Sequence, residues 1–205
     1  LRYTLAATTA PLAVRLRAVA PSPEADGLTT YQLGPRIWVR WNNRPLTCYR
    51  AHPSQKYPYL FPLAGPATGL SLTTETSLPY PHHRSLFFGC DRVQGGNYWQ
   101  EDFAQGQIVS EGPKLGKATK TAVEILDACT WQKPGQAPVM KDRRRITVTV
   151  VNDRLHYIDW DIEWTAVVDV QIQKTNHSLF AMRAAADLTP SGGGRLIDAE
   201  GRSGE

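Results

Sequence analysis

Two of the five histidines in this 205-residue sequence are neighbours, and an arginine follows them: His82, His83 and Arg84. A third imidazole, His177, ends the run Lys174-Thr175-Asn176-His177, and a late carboxylate, Glu200, stands in Ala199-Glu200-Gly201. Imidazole is the side chain that takes and gives protons near neutrality with little tuning. His82, His83 and His177, with Glu200 as their partner, are therefore candidates for general acid and base catalysis. The same imidazoles suit zinc, copper, iron or nickel, so a divalent metal held by His82, His83 and His177 is a second reading. Arg84 would hold an anionic or carbonyl oxygen of the ligand. Tyr80 and Trp99 flank the pair and could stack on sugar rings, while Asn176 could add a polar contact. Against all of these stands a plainer use, in which the polar groups bond loop backbones.

The local chain limits how such groups can meet. Pro81 forces Tyr80 out of the helical region, so the backbone enters His82 extended. Adjacent side chains on an extended segment point to opposite faces, so His82 and His83 share one pocket only if the chain turns or bulges there. The apolar run Ser85-Leu86-Phe87-Phe88-Gly89-Cys90 that follows is expected to be a buried strand.

Elsewhere the pattern has period two. Residues 36–41 and 46–50 read as a hairpin across a turn at 42–45, 107–110 as a short strand within a polar loop, and 122–131 as helix or strand, with strand favoured in this company. Ile146–Val151, then 155–164, then 168–173 alternate apolar with polar residues and are expected to form three consecutive antiparallel strands with one buried face. His156 falls on the apolar side of the second. Leu1 to Ala20 carries β-type residues, and 21–27 reads as a turn. No convincing amphipathic helix is present. The expected fold class is all-β, a large antiparallel β-sandwich of two packed sheets in a single domain over 1–205.

Composition excludes several classes. The net charge of +4 is modest, and the basic cluster Lys141 to Arg145 leads into a strand, so it reads as a solvated strand end and not as a nucleic-acid footprint. No apolar run approaches the ~18 residues of a membrane helix. Three scattered cysteines without a CxxC pair argue against a disulfide framework or structural zinc and for a reducing, cytoplasmic compartment, although a leader could have been removed. There is no GxSxG elbow, P-loop, GxGxxG or HExxH.

The segments YPYLFPLAGPATGLSLT, PHHRSLFFGCDRVQGGNYW, KTNHSLFAMRAA and GGRLIDAEGRSGE together resemble a bacterial family labelled methane oxygenase PmoA-like. The resemblance implies a galactose mutarotase-like supersandwich, with family members running on past Glu205, so the chain is expected to lack a C-terminal part. The family's recurring polar positions fall on His82, His83, Arg84, Asn176, His177 and Glu200. Its kinship to sugar-acting sandwiches points to a small-molecule carbohydrate ligand and an enzyme of lyase, hydrolase or epimerase type. A non-catalytic carbohydrate-binding sandwich and, from the label, a metal-dependent oxygenase are the alternatives. A homo-oligomer is compatible with all three.

Overall fold

Alternating β-branched and aromatic residues give this chain strands and almost nothing else. The computed structural model describes residues 26–75, 78–100 and 102–204. The N-terminal segment 1–20 and most of the expected turn after it lie outside those residues.

A six-stranded antiparallel sheet has the order β1-β2-β3-β4-β5-β11. Its strands are β1 (Leu28–Leu33), β2 (Arg36–Trp41), β3 (Arg44–Arg50), β4 (Tyr59–Leu63), β5 (Leu86–Cys90) and β11 (Ser178–Met182). The second sheet runs β10-β9-β8-β6, with β7 also pairing β8. It is built from β6 (Gln107–Ser110), β7 (Lys114–Ala118), β8 (Ala122–Gln132), β9 (Met140–Asn152) and β10 (Leu155–Ala166). A two-residue pair, β12 (Leu196–Ile197) with β13 (Ser203–Gly204), stands apart.

The sheets pack face to face. Ile37, Val39, Leu46 and Tyr49 of the first meet Val123, Ile125, Ile146 and Val148 of the second, all with no exposed surface. A second cluster joins Tyr59, Phe87 and Phe88 to Ile108, Trp131 and Met140. Burying such side chains contributes roughly 1.5–3 kcal/mol each. This is the all-β sandwich that the alternation predicts.

Three expectations are corrected. Residues 168–173 form no strand: only Ile172 bridges, to Val93, and Val168 is half exposed, so apolar alternation there finds no sheet to bury it. The segment 195–200, which also reads as the start of a strand-like piece, contributes only the two residues of β12. The basic cluster is not a solvated strand end. β9 begins at Met140, and Asp142 and Arg144 share the inward face with Met140, Ile146, Val148 and Val150. Their side chains are fully buried and bonded to each other, Nε to Oδ1 at 2.7 Å and Nη2 to Oδ2 at 2.9 Å, while the Trp131 indole N–H donates to Asp142 Oδ2 at 2.7 Å. The neighbouring Arg143 and Arg145, on the other face, are the exposed ones.

The edges β10 and β11 leave one side of the sandwich open. The inward row of β10 (Ile158, Trp160, Ile162, Trp164) is only half-buried, with Phe180 of β11 against Trp160 at 5.4 Å between centroids.

Candidate functional site

The pairing of β5 with β11 places the site. The strands run antiparallel with Cys90 opposite Ser178 and Leu86 opposite Met182. Phe88 points into the sandwich against Trp131 and Trp164, so alternation sends Phe87 and Gly89 to the other face. On that face Trp99 lies across β5, its ring 4.8 Å from Phe87 and edge-on to it. Gly89 permits the approach, because a Cβ there would stand 2.7 Å from the Tyr98 carbonyl oxygen.

At the head of β5 the chain does turn. The His83 N–H donates to the Tyr80 carbonyl at 3.1 Å, with Pro81 in the second position, where its fixed φ is suited. The turn brings the His82 and His83 rings edge to face, 4.5 Å apart, and stacks Tyr80 on His83 at 5.1 Å. The Tyr57 hydroxyl donates to the His82 carbonyl. Ser85, at φ +48°, then redirects the backbone into the strand. It is buried, and its three polar groups are engaged: N–H to the Thr74 carbonyl (2.8 Å), carbonyl from the Arg183 N–H (2.7 Å), hydroxyl with that of Thr73 (2.7 Å). These bonds give Ser85 a structural task.

His83 is the most tightly specified imidazole. Its Nδ1 lies 3.4 Å from Nη1 of Arg183, which follows β11, and its ring stands 6.4 Å edge-on from Trp99. Burial, then the positive fields of His82, Arg183 and His177, holds His83 below the usual imidazole pKa of 6.5. A guanidinium has only donors, so Nδ1 of His83 must accept, and its own proton sits on Nε2.

His177 reaches the same indole from the other end of β11, 5.8 Å from Trp99. Its Nδ1 is 3.4 Å from Oδ2 of Asp91, whose carboxylate is only 9% exposed. The backbones are tied as well, the Asp91 N–H donating to the His177 carbonyl at 3.0 Å. A carboxylate only accepts, so Nδ1 is the His177 nitrogen that turns an N–H toward Asp91, and Nε2 is the one turned away from it. The other oxygen of Asp91, Oδ1, is buried without a hydrogen-bond partner among the described residues.

His82, His83, Tyr80, Trp99 and His177 thus come together. Others of the expected set do not. Trp99 is 5% exposed, so it positions the imidazoles from beneath and cannot offer a face to a sugar; Tyr80, 53% exposed, can. The Arg84 guanidinium donates to Gln55 and lies 5.8 Å from the Tyr59 ring, and no described contact joins it to the histidine rings. Glu200 sits exposed on the β12–β13 turn, where it accepts from Arg202, and no described contact joins it to the histidines. Asn176 is exposed on the turn before β11. Among the described residues no three His, Cys, Asp or Glu side chains gather as a metal ion requires, so the set His82, His83 and His177 does not fit one.

Two residues escaped the sequence reading, Asp91 and Arg183. Each lies one residue beyond an apolar strand and on the parity of its outward row, a signal that needs the β5–β11 register to be read. The cysteines add no nucleophile: all three are buried, and burial pushes the Cys48 and Cys90 thiols up to about 11.

Residues 36–205 match a family described as a family of unknown function, DUF6807. No curated protein and no solved structure matches the chain. Among the described residues no helix is long and apolar enough to cross a membrane.

Proposed function

The chain belongs to the DUF6807 family of unknown function, and from its site we propose an enzyme that moves protons on a sugar or oxidised sugar derivative, of lyase, hydrolase or epimerase type. One observation carries the reading: two imidazoles flank one indole, Nδ1 of one facing a carboxylate and Nδ1 of the other a guanidinium. His177, with Nδ1–H turned to Asp91, offers Nε2 as a base. His83, with Nδ1 turned to Arg183, offers Nε2–H as a donor. Elimination and epimerisation both need that pair, one group to take a proton from carbon and another to donate a hydrogen bond to the oxyanion that develops. His83, kept neutral at pH 7, acts through Nε2–H as a hydrogen-bond donor to the developing oxyanion, and the proton that His177 removes is the one returned to the leaving oxygen or to carbon, by His177 or through solvent. Exposed Tyr80, stacked on His83, gives a sugar ring an apolar face to lie on. The kinship to sugar-acting sandwiches that the PmoA-like resemblance implies points to the same substrate class, by analogy of fold alone.

The test is deuterium wash-in: sugars and sugar acids incubated with the protein in D2O and followed by proton NMR. The wild type should exchange or eliminate at one carbon-bound hydrogen, and His177→Ala and His83→Ala, shown to be folded by circular dichroism, should lose the reaction. Unchanged exchange in both variants refutes the reading. Binding that survives loss of both imidazoles but fails in Tyr80→Ala, without exchange in any variant, would establish the non-catalytic alternative.

A further inference from the structure

We propose that the ligand carries a carboxylate and that Arg183 selects for it, at the mouth of a cavity beside the imidazoles. The inference rests on the proton-transfer reading above and narrows its substrate class to sugar acids.

The carriers are charge and position. The other half-buried or buried guanidiniums with described ion pairs have carboxylate partners, Arg50 with Glu75 and Arg144 with Asp142. Arg183 is half-buried, yet among the described residues no Asp or Glu pairs with it. What faces it is Nδ1 of His83 at a long 3.4 Å, and the two other imidazoles stand close enough to act, with Arg183, on the His83 proton. The described carboxylates about the site are committed elsewhere, Asp91 to His177 at the opposite end of β11 and Glu75, beside Thr74, to Arg50 and Tyr59. The Arg183 end is therefore positive and lacks an anion. A partly desolvated guanidinium presents a planar fork of donors that a carboxylate matches in bidentate fashion.

There is also room. Thr74, Met182, Arg183, Ala184, Leu188 and Pro190 line a cavity of about 500 Å³ adjoining this end, within the roughly 300–1,000 Å³ common for small-molecule sites. Its walls are largely apolar, so a charged group entering it turns to the one cation in the lining. The Arg183 backbone is anchored on both sides, its N–H to Ser85 and its carbonyl to the Thr74 N–H at 3.1 Å, so the side chain starts from a fixed stem.

The experiment is calorimetric titration, at constant ionic strength and pH 7.5, with D-glucuronate, D-galacturonate and D-gluconate against D-glucose and D-galactose. The wild type should bind at least one acid about tenfold or more tightly than its neutral parent, a difference of ~1.4 kcal/mol. Arg183→Gln should erase that preference, and Arg183→Lys should restore part of it, since a point charge replaces the fork. Neutral sugars binding as tightly as their acids, or a preference intact in Arg183→Gln, overturns the carboxylate inference alone. An Arg183-dependent preference whose turnover is untouched in His177→Ala and His83→Ala refutes the acid–base reading and leaves the anion subsite standing. No binding by any of the five refutes both.

Discussion

Asp142→Asn probes the least ordinary feature of the core. The substitution keeps the shape of the side chain and removes its charge. The lost carboxylate accepts three hydrogen bonds, two from Arg144 and one from Trp131, in a place where neither Asp142 nor Arg144 has any side-chain exposure. An amide offers one acceptor oxygen and turns a donor NH2 toward groups that only donate. Arg144 cannot shed its proton, so it is left as a buried cation, with Nη1 already lacking a partner among the described residues. Two unit charges ~4 Å apart at an effective dielectric constant of ~20 attract by about 4 kcal/mol. Breaking a buried pair costs ~3–5 kcal/mol. Set against a typical total of ~5–15 kcal/mol, that is about a fifth or more of the stability. The double variant Asp142→Leu with Arg144→Met should behave differently, because it removes both desolvation penalties; it should lie within ~2 kcal/mol of wild type, the orphaned Trp131 N–H offsetting part of the gain. Urea unfolding followed by far-UV circular dichroism, with a double-mutant cycle, measures both. An Asp142→Asn loss below about 1 kcal/mol, or additive single effects, would refute the account of a coupled buried pair.

Three further outcomes follow from the site. Asp91→Asn should remove the negative charge that Nδ1 of His177 faces and lower the deuterium wash-in rate by about 10²-fold, within the range general-base catalysis contributes, while leaving sugar-acid affinity nearly unchanged in calorimetry. His83 has a lower proton affinity in the folded chain than in the unfolded one, so the unfolded state protonates first as pH falls. Its contribution to stability is complete above pH 6.5 and declines below that, and urea midpoints measured from pH 8 to pH 5 should fall less steeply in His83→Gln than in wild type. Gly89→Ala would set a methyl 2.7 Å from the Tyr98 carbonyl and push the Trp99 segment off β5; a loss of ~1–3 kcal/mol in urea unfolding and reduced sugar-acid affinity are the expected readouts.

Most of the strands that the sequence announces are those whose own residues alternate: β2, β3, β8, β9 and β10 are visible in period two, while β5 stands out as an apolar run and β6 as a short strand-like piece in a polar loop. β1 and β7 are not, because Thr30, Tyr31 and Gln32, or Lys114 and Gly116, owe their strand conformation to the neighbour they pair with. Residues 168–173 show the converse, a pattern without a partner. Asp142 and Arg144 were legible in principle, since they hold the parity of Ile146 and Val148, but charge reads as solvent exposure until the facing Trp131 is known. At the site, the imidazoles and Tyr80 announce themselves by type. Asp91 and Arg183 do not, because their roles come from contacts to residues 86 and 100 positions away, which no local pattern encodes.

The five residues of β5 tie chemistry to architecture. A one-residue slip against β4 or β11 would turn Phe88 outward, drive Phe87 into Trp131 and carry Ser85 and Asp91 to the wrong side at the same stroke. The imidazole array therefore has no independent existence as an interchangeable loop graft. Whatever diversity in ligand choice this scaffold tolerates should accumulate around Arg183 and the segment after it, where change leaves the strand alignment alone.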